Sequence, residues 1–176
     1  MSKIIKDQIK KLKPSATLAI NEESNRLIKE GKKVYKFGFG QSPFPIPESI
    51  INSLKDNAYK NKYLPMQGLE ELRSAVAEHL NKINKNNFTT NDIVIGPGTK
   101  ELMFLLQIAF DGEIILPAPS WVSYQPQAII GNNKVNWLET SKDNNWFPTA
   151  NQLENKIKSI ENKNILLFIN SPNNPS

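Results

Sequence analysis

The run Ile93-Val94-Ile95-Gly96-Pro97-Gly98-Thr99-Lys100 passes from an apolar, strand-like triplet through a glycine turn into a segment of helical periodicity. A helix that begins at such a turn leaves its first N–H groups without carbonyl partners and points the positive end of its dipole outward. That arrangement suits an anion, and phosphate is the usual guest. The spacing matches neither a Walker sequence, which needs Gly-Lys-Ser/Thr, nor a dinucleotide G-x-G-x-x-G, because Glu101 stands at the third glycine position. Gly-Pro-Gly is also an ordinary turn.

Two further segments follow apolar runs in the same way. Ser120-Trp121-Val122-Ser123-Tyr124 comes after Pro117 and Pro119; its indole either stacks on a flat ligand or belongs to the core, or the segment is a helix start capped by Ser120. In Asn173-Asn174-Pro175 the amides either cap a turn or donate to a ligand oxygen. If the three apolar runs are strands of one sheet, all three groups stand on one rim, where open α/β sheets bind their ligands.

Other chemistries are excluded by composition. With no cysteine there is no disulfide, thiolate metal site or cysteine nucleophile, and a single histidine, His79, rules out a His-rich metal site. His79 reads as a helix residue at the edge of an apolar stripe. The formal charge of +5 comes from lysines scattered among Asn, Asp and Glu, which describes a solvated surface, not a nucleic-acid interface. No apolar run approaches the roughly 20 residues needed to cross a bilayer. The amino terminus has no signal-peptide pattern, so a cytoplasmic protein is expected.

The elements that must position these residues follow from periodicity. Lys3 to Lys13 is a basic, polar arm ending at Pro14. A helix is expected over 17–30, stopped by Gly31, then a short strand at 34–37 and an extended loop from Gly38 to Pro47 that holds three prolines. A helix from Pro47 places Ile50, Ile51, Leu54 and Ala58 on one face, and a second carries Leu69, Leu72, Val76, Leu80 and Ile83. From residue 92 short apolar runs at 93–95, 114–116, 135–138 and 165–169 alternate with helical segments, the pattern of a wound α/β sheet. The composition breaks near Gly38 to Pro47, so the expected division is 1–45 and 46–176.

Taken together, Leu12-Lys13-Pro14-Ser15-Ala16-Thr17, Gly40-Gln41-Ser42-Pro43, Tyr63-Leu64-Pro65 with Gly68-Leu69-Glu70-Glu71-Leu72-Arg73, Pro119 to Tyr124, and Ser171 to Pro175 resemble class I/II aminotransferases. The likeness is greatest to the bacterial aspartate aminotransferase group. The resemblance implies the pyridoxal-phosphate-dependent transferase fold type I, a three-layer α/β/α sheet that is incomplete here. Residues 1–45 would then be an arm and part of the small domain, and 46–176 the first part of the large cofactor domain. It further implies pyridoxal 5'-phosphate as cofactor, an amino acid and a 2-oxo acid as substrates, and a homodimer.

By the same resemblance, Gly98, Thr99 and Lys100 form the phosphate turn, although Pro97 lacks an N–H where relatives have a donor. Trp121 stacks on the pyridine ring, Asn174 approaches the phenolic oxygen and the substrate carboxylate, and Tyr63 reaches the phosphate of the neighbouring subunit. Gly40 lies against the substrate, while Gln41-Ser42-Pro43-Phe44 departs from the family pattern after that glycine.

Transamination needs a Schiff-base lysine, which the family carries in a Ser-x-x-Lys sequence, and this chain contains none. Asp56-Asn57-Ala58-Tyr59 imitates the family's acidic motif but precedes the phosphate turn. Arg26 and Arg73 precede the family's substrate arginine, and Arg73 is expected on a helix surface or at an interface. The chain therefore reads as the amino-terminal part of an enzyme, without a catalytic residue of its own and inactive alone. A carbon–sulfur lyase, a decarboxylase of the same fold type, and a non-catalytic phosphate-binding module are the alternatives.

Overall fold

The computed structural model describes every residue except 1–3, 11, 39, 41, 162 and 163, together with the side chain of Ala16. Its helices are α1 (Asp7–Lys10), α2 (Ala16–Lys29), α3 (Glu48–Asn57), α4 (Glu70–Asn84), α5 (Thr99–Ala109), α6 (Tyr124–Ile130) and α7 (Ala150–Lys158). The strands are β1 (Glu113–Ala118), β2 (Lys134–Glu139) and β3 (Ile165–Leu167). Two compact units result, one of Met1–Lys13 with Pro97–Ser176 and one of Pro14–Gly96. The division expected at residue 45 falls inside the second unit.

In the first unit the sheet order is β2-β1-β3 and both pairings are parallel, with Glu113 opposite Lys134 and Ile165. Parallel neighbours need crossover connections, which α6 and α7 supply. Central β1 is covered on both faces, and Ile114, Ile115 and Leu116 are fully buried. Ile114 and Leu116 form a core with Tyr124 and Ala128 from α6, against which Met103, Trp121, Val135, Leu166 and Phe168 pack. The expected basic arm yields the single-turn α1, which packs beside α6.

Local chemistry sets the ends of these elements. Pro126 is tolerated in the first turn of α6, where a backbone N–H has no helical acceptor. Thr149 and Gln152 build a reciprocal capping box at α7. Gln152 Nε2 also donates to Glu139 O at 3.3 Å, fastening that helix to the end of β2.

Glu113 accepts from Asn136 Nδ2 at 2.7 Å and pairs with Lys134 Nζ at 3.1 Å, which joins β1 to β2. The Asn136 amide first, and Lys134 second, hold its carboxyl below the usual carboxylate range. A depressed folded value stabilises the fold above the unfolded value, and the contribution is lost as pH falls through the folded one. Glu113→Gln is expected to lower the melting temperature at neutral pH, with the gap to wild type closing in acid. Parallel melting curves across that range check it, and a constant gap would refute it.

The second unit departs from the sequence expectation in three places. Residues 34–37 and 93–95 are not strands. Ile93 is buried and extended, with φ −115° and ψ 130°, but Ile95 N makes one bond, of 2.9 Å, to Gln67 O. A loop carbonyl replaces the neighbouring strand that a ladder requires.

The apolar stripe on α4 is also displaced. Arg73 and Ala77 are the buried residues, whereas Leu69, Leu72 and Ile83 stay at least 43% exposed. Ile50 and Leu54 of α3 are likewise exposed.

The third departure is Arg73, which lies inside and not on the surface. Its Nη1 donates to Gln67 Oε1 at 3.0 Å and to Thr90 O at 2.8 Å, tying the loop before α4 to the segment after it. Arg26, by contrast, is an exposed ion-pairing residue of α2, bonded to Glu23 and Glu30. His79 is exposed on α4.

Candidate functional site

The amino end of α5 is built as the glycine turn suggests. Gly98 is the N-cap, with φ 95° and ψ 150°, and no side chain caps the helix. Leu102 N bonds back to Gly98 O at 3.4 Å. The N–H groups of Thr99, Lys100 and Glu101 come before the first helical bond and so have no helical carbonyl to meet. Gly98, Thr99 and Lys100 are all exposed. Such an end offers an anion three N–H donors and the positive helix dipole.

Trp121 stands next to this turn. Lys100 Nζ lies 5.4 Å from the centre of its ring. Behind it, Tyr124 meets the indole edge-on, with ring centres 5.3 Å apart and planes at 84°. Tyr124 in turn stacks on Phe168 at 5.0 Å, and burial pushes its phenol upward. A chain of rings from α6 and the end of β3 thus fixes the indole within the core of the first unit, while Trp121 itself is only partly covered. The core reading of Trp121 is met in part, since the ring packs on Tyr124 and stays partly exposed, whereas the helix begins at Tyr124 with Ser123, not Ser120, at its N-cap.

The third segment also reaches this rim. Asn173 Nδ2 donates to Pro119 O at 3.3 Å and to Ser176 Oγ at 2.7 Å, joining the turn after β3 to the loop after β1. Its neighbour Asn174 is exposed. Of the two amides, one holds the turn and the other is left for solvent or a ligand. The bonds Ala118-Pro119, Ser171-Pro172 and Asn174-Pro175 are cis.

Tyr63 and Gly40 belong to the second unit. Tyr63 is fully exposed, and a Cβ added at Gly40 would meet nothing within 4 Å. Gln41 lies outside the described residues. Among the described residues there is no group of three or more His, Cys, Asp or Glu able to hold a metal ion. None of their helices is long and apolar enough to cross a membrane.

Sequence reasoning missed the buried amides that frame α5. Gln107 is fully buried and donates to Gln127 Oε1 at 3.0 Å, and Gln127 Nε2 donates to Lys100 O at 2.9 Å. The only available signal was a glutamine inside the apolar run Leu105-Leu106-Gln107-Ile108.

Comparison with known proteins gives this geometry a context. Residues 32–176 match the family model for aminotransferase class I and II. The chain is 32% identical over 181 residues to an aspartate aminotransferase of Bacillus sp. (strain YM-2), covering all of this chain and 45% of that one. It is 34% identical over 183 residues to a probable aspartate/prephenate aminotransferase of Aquifex aeolicus, again with 100% and 45% coverage. Among solved structures, the aspartate aminotransferase of Rhizobium meliloti superposes with a TM-score of 0.87 at 26% identity, over 98% of this chain and 44% of that one. That of Thermus thermophilus with maleate gives 0.84 at 29% identity, over 98% and 46%.

The chain spans somewhat under half the length of these relatives. Family, fold and cofactor class therefore rest on sequence and structure alike: the chain belongs to the class I and II aminotransferases and carries part of their pyridoxal-phosphate-dependent, fold type I architecture.

Proposed function

We propose that this chain contributes the phosphate-binding and ring-stacking half of an enzyme that moves an amino group between an amino acid and a 2-oxo acid. The observation that carries the reading is the uncapped start of α5 beside Trp121, with Lys100 Nζ 5.4 Å from the indole centre. These residues suit pyridoxal 5'-phosphate. Free N–H groups and a hydroxyl meet its phosphate, and a ring braced by Tyr124 meets its pyridine face. When bound, that cofactor withdraws electrons from the substrate carbon.

The roles of this chain's residues then divide. Gly98, Thr99 and Lys100 hold the phosphate by backbone N–H, hydroxyl and positive charge, Trp121 fixes the tilt of the ring, and exposed Asn174 donates toward the phenolic oxygen and the substrate carboxylate. Gly40 leaves room for substrate. Tyr63, whose side chain is wholly exposed, reaches the phosphate of a second copy in a homodimer. Residues 1–45 belong with the smaller domain and 46–176 open the cofactor domain. A chain without cysteine suits the cytoplasm. With no Ser-x-x-Lys, the 176 residues alone lack the covalent lysine and are inactive.

The test is equilibrium binding of the cofactor, followed by an amino-transfer assay on the full-length protein. Thr99→Val removes one hydroxyl donor, worth about 1 kcal/mol, and is expected to weaken cofactor affinity about fivefold. Release of sulfide or carbon dioxide in place of amino transfer would favour a lyase or decarboxylase. Phosphate binding with no turnover of any amino acid by the full-length protein would leave a binding module.

A further inference from the structure

Two buried amides, both from the segment around α6, grip the two ends of α5. At the amino end, Gln127 Nε2 donates to Lys100 O at 2.9 Å, and Gln127 Oε1 is held by Gln107 Nε2 at 3.0 Å. At the carboxyl end, Asn133 Nδ2 donates to Phe110 O at 2.8 Å. Gln107, Gln127 and Asn133 are 0%, 7% and 9% exposed. A buried amide is costly unless bonded, so each of these contacts is specific in geometry and not an incidental surface bond.

The amino-end contact has a particular consequence. Lys100 is the second residue of α5, in the turn whose N–H groups face the anion, and Gln127 is fixed to the helix that begins three residues after Trp121. One side chain therefore links α6, the helix that carries the bracing Tyr124, to the anion turn. We propose that Gln127 is a positioning residue that sets the spacing and direction of the Gly98–Lys100 anion turn relative to Trp121. This deepens, and rests on, the assignment of that turn to phosphate.

The molecule supplies its own control. Asn133 clamps the same helix with a comparable bond, but at the end remote from the turn. A residue that only stabilises α5 should behave alike at either end, whereas a positioning residue should act on the anion only from the amino end.

The experiment uses the cofactor-free full-length protein, with inorganic phosphate as probe by equilibrium dialysis and thermal denaturation in parallel. Gln127→Met keeps side-chain length but cannot donate, and is expected to weaken phosphate binding about three- to tenfold. Asn133→Ala is expected to lower the melting temperature with phosphate affinity within about twofold of wild type. If Gln127→Met does not fold, Gln107→Met is measured in its place. It leaves the bond to Lys100 O but frees the far end of Gln127, and an intermediate loss is expected. Wild-type phosphate affinity retained by the Gln127 variant, or equal losses from Gln127 and Asn133, would overturn the positioning role alone. No phosphate affinity in wild type would overturn the phosphate assignment and the inference with it.

Discussion

Gly98→Ala is expected to weaken binding of pyridoxal 5'-phosphate by about tenfold or more while leaving the three-stranded sheet intact. At φ 95° and ψ 150° this backbone sits close to a region that only glycine occupies comfortably. A Cβ built there meets nothing within 4 Å, so packing plays no part and the whole penalty lies in the backbone. That penalty is about 1–3 kcal/mol. The turn can escape it by rotating to negative φ, which swings the N–H groups at the start of α5 off the anion. Binding must then restore the strained turn, so the loss falls on affinity, and 1.4 kcal/mol is about tenfold. Equilibrium titration with the cofactor, set beside a thermal melt, decides it. Wild-type affinity would refute it: with a lowered melting temperature the fold holds the strained turn in place, and with an unchanged one the turn has relaxed and the anion sits elsewhere.

Gly68→Ala is expected to cost about 2–6 kcal/mol of stability in the second unit, the sum of a backbone and an overpacking penalty. Gly68 is buried at φ 95°, and an added Cβ would lie 2.6 Å from Ile95 Cβ and 3.1 Å from its Cγ1. Both atoms belong to a β-branched side chain next to the backbone, which cannot swing aside. The surroundings are also pinned: Gln67 O receives Ile95 N, and Arg73 holds the Gln67 side chain. Against a domain stability of roughly 5–15 kcal/mol, such a loss should unfold much of the unit at moderate denaturant. Urea denaturation followed by circular dichroism measures it. A loss below about 1 kcal/mol would show that the turn yields without strain.

How much of this was legible in the sequence depends on how far each feature reaches along the chain. Gly98 as the start of a helix, Pro47 before α3 and the turn at Gly31 are local, since the dihedral demands of one residue decide them. The parallel sheet was legible too, because apolar runs at 114–116, 135–138 and 165–169 separated by helices leave few other arrangements. Trp121 could be placed on the rim by its position after a strand, but not divided between core and ligand. The core side of that choice became visible only in the edge-on contact with Tyr124.

Four features needed tertiary structure. Residues 93–95 have strand composition but find a loop carbonyl in place of a second strand. The stripe on α4 predicts burial of Leu72, yet the contact is made by Arg73 and Ala77, because Gln67 and Thr90 lie where a guanidinium reaches two oxygens. Asn173, not Asn174, fastens the rim turn. Gln107 and Gln127, twenty residues apart, read as misplaced polar residues until α5 and α6 are packed together.

The sequence by itself therefore determined the helix starts, the parallel architecture and the glycine turn that opens α5, all consequences of backbone geometry and apolar period. Only the tertiary structure decided which polar groups are buried and what they hold. A buried amide or guanidinium needs partners chosen by packing between segments distant in the chain, and among the described residues Arg73 Nε, Gln107 Oε1 and Asn133 Oδ1 are the buried side-chain atoms that packing leaves without one.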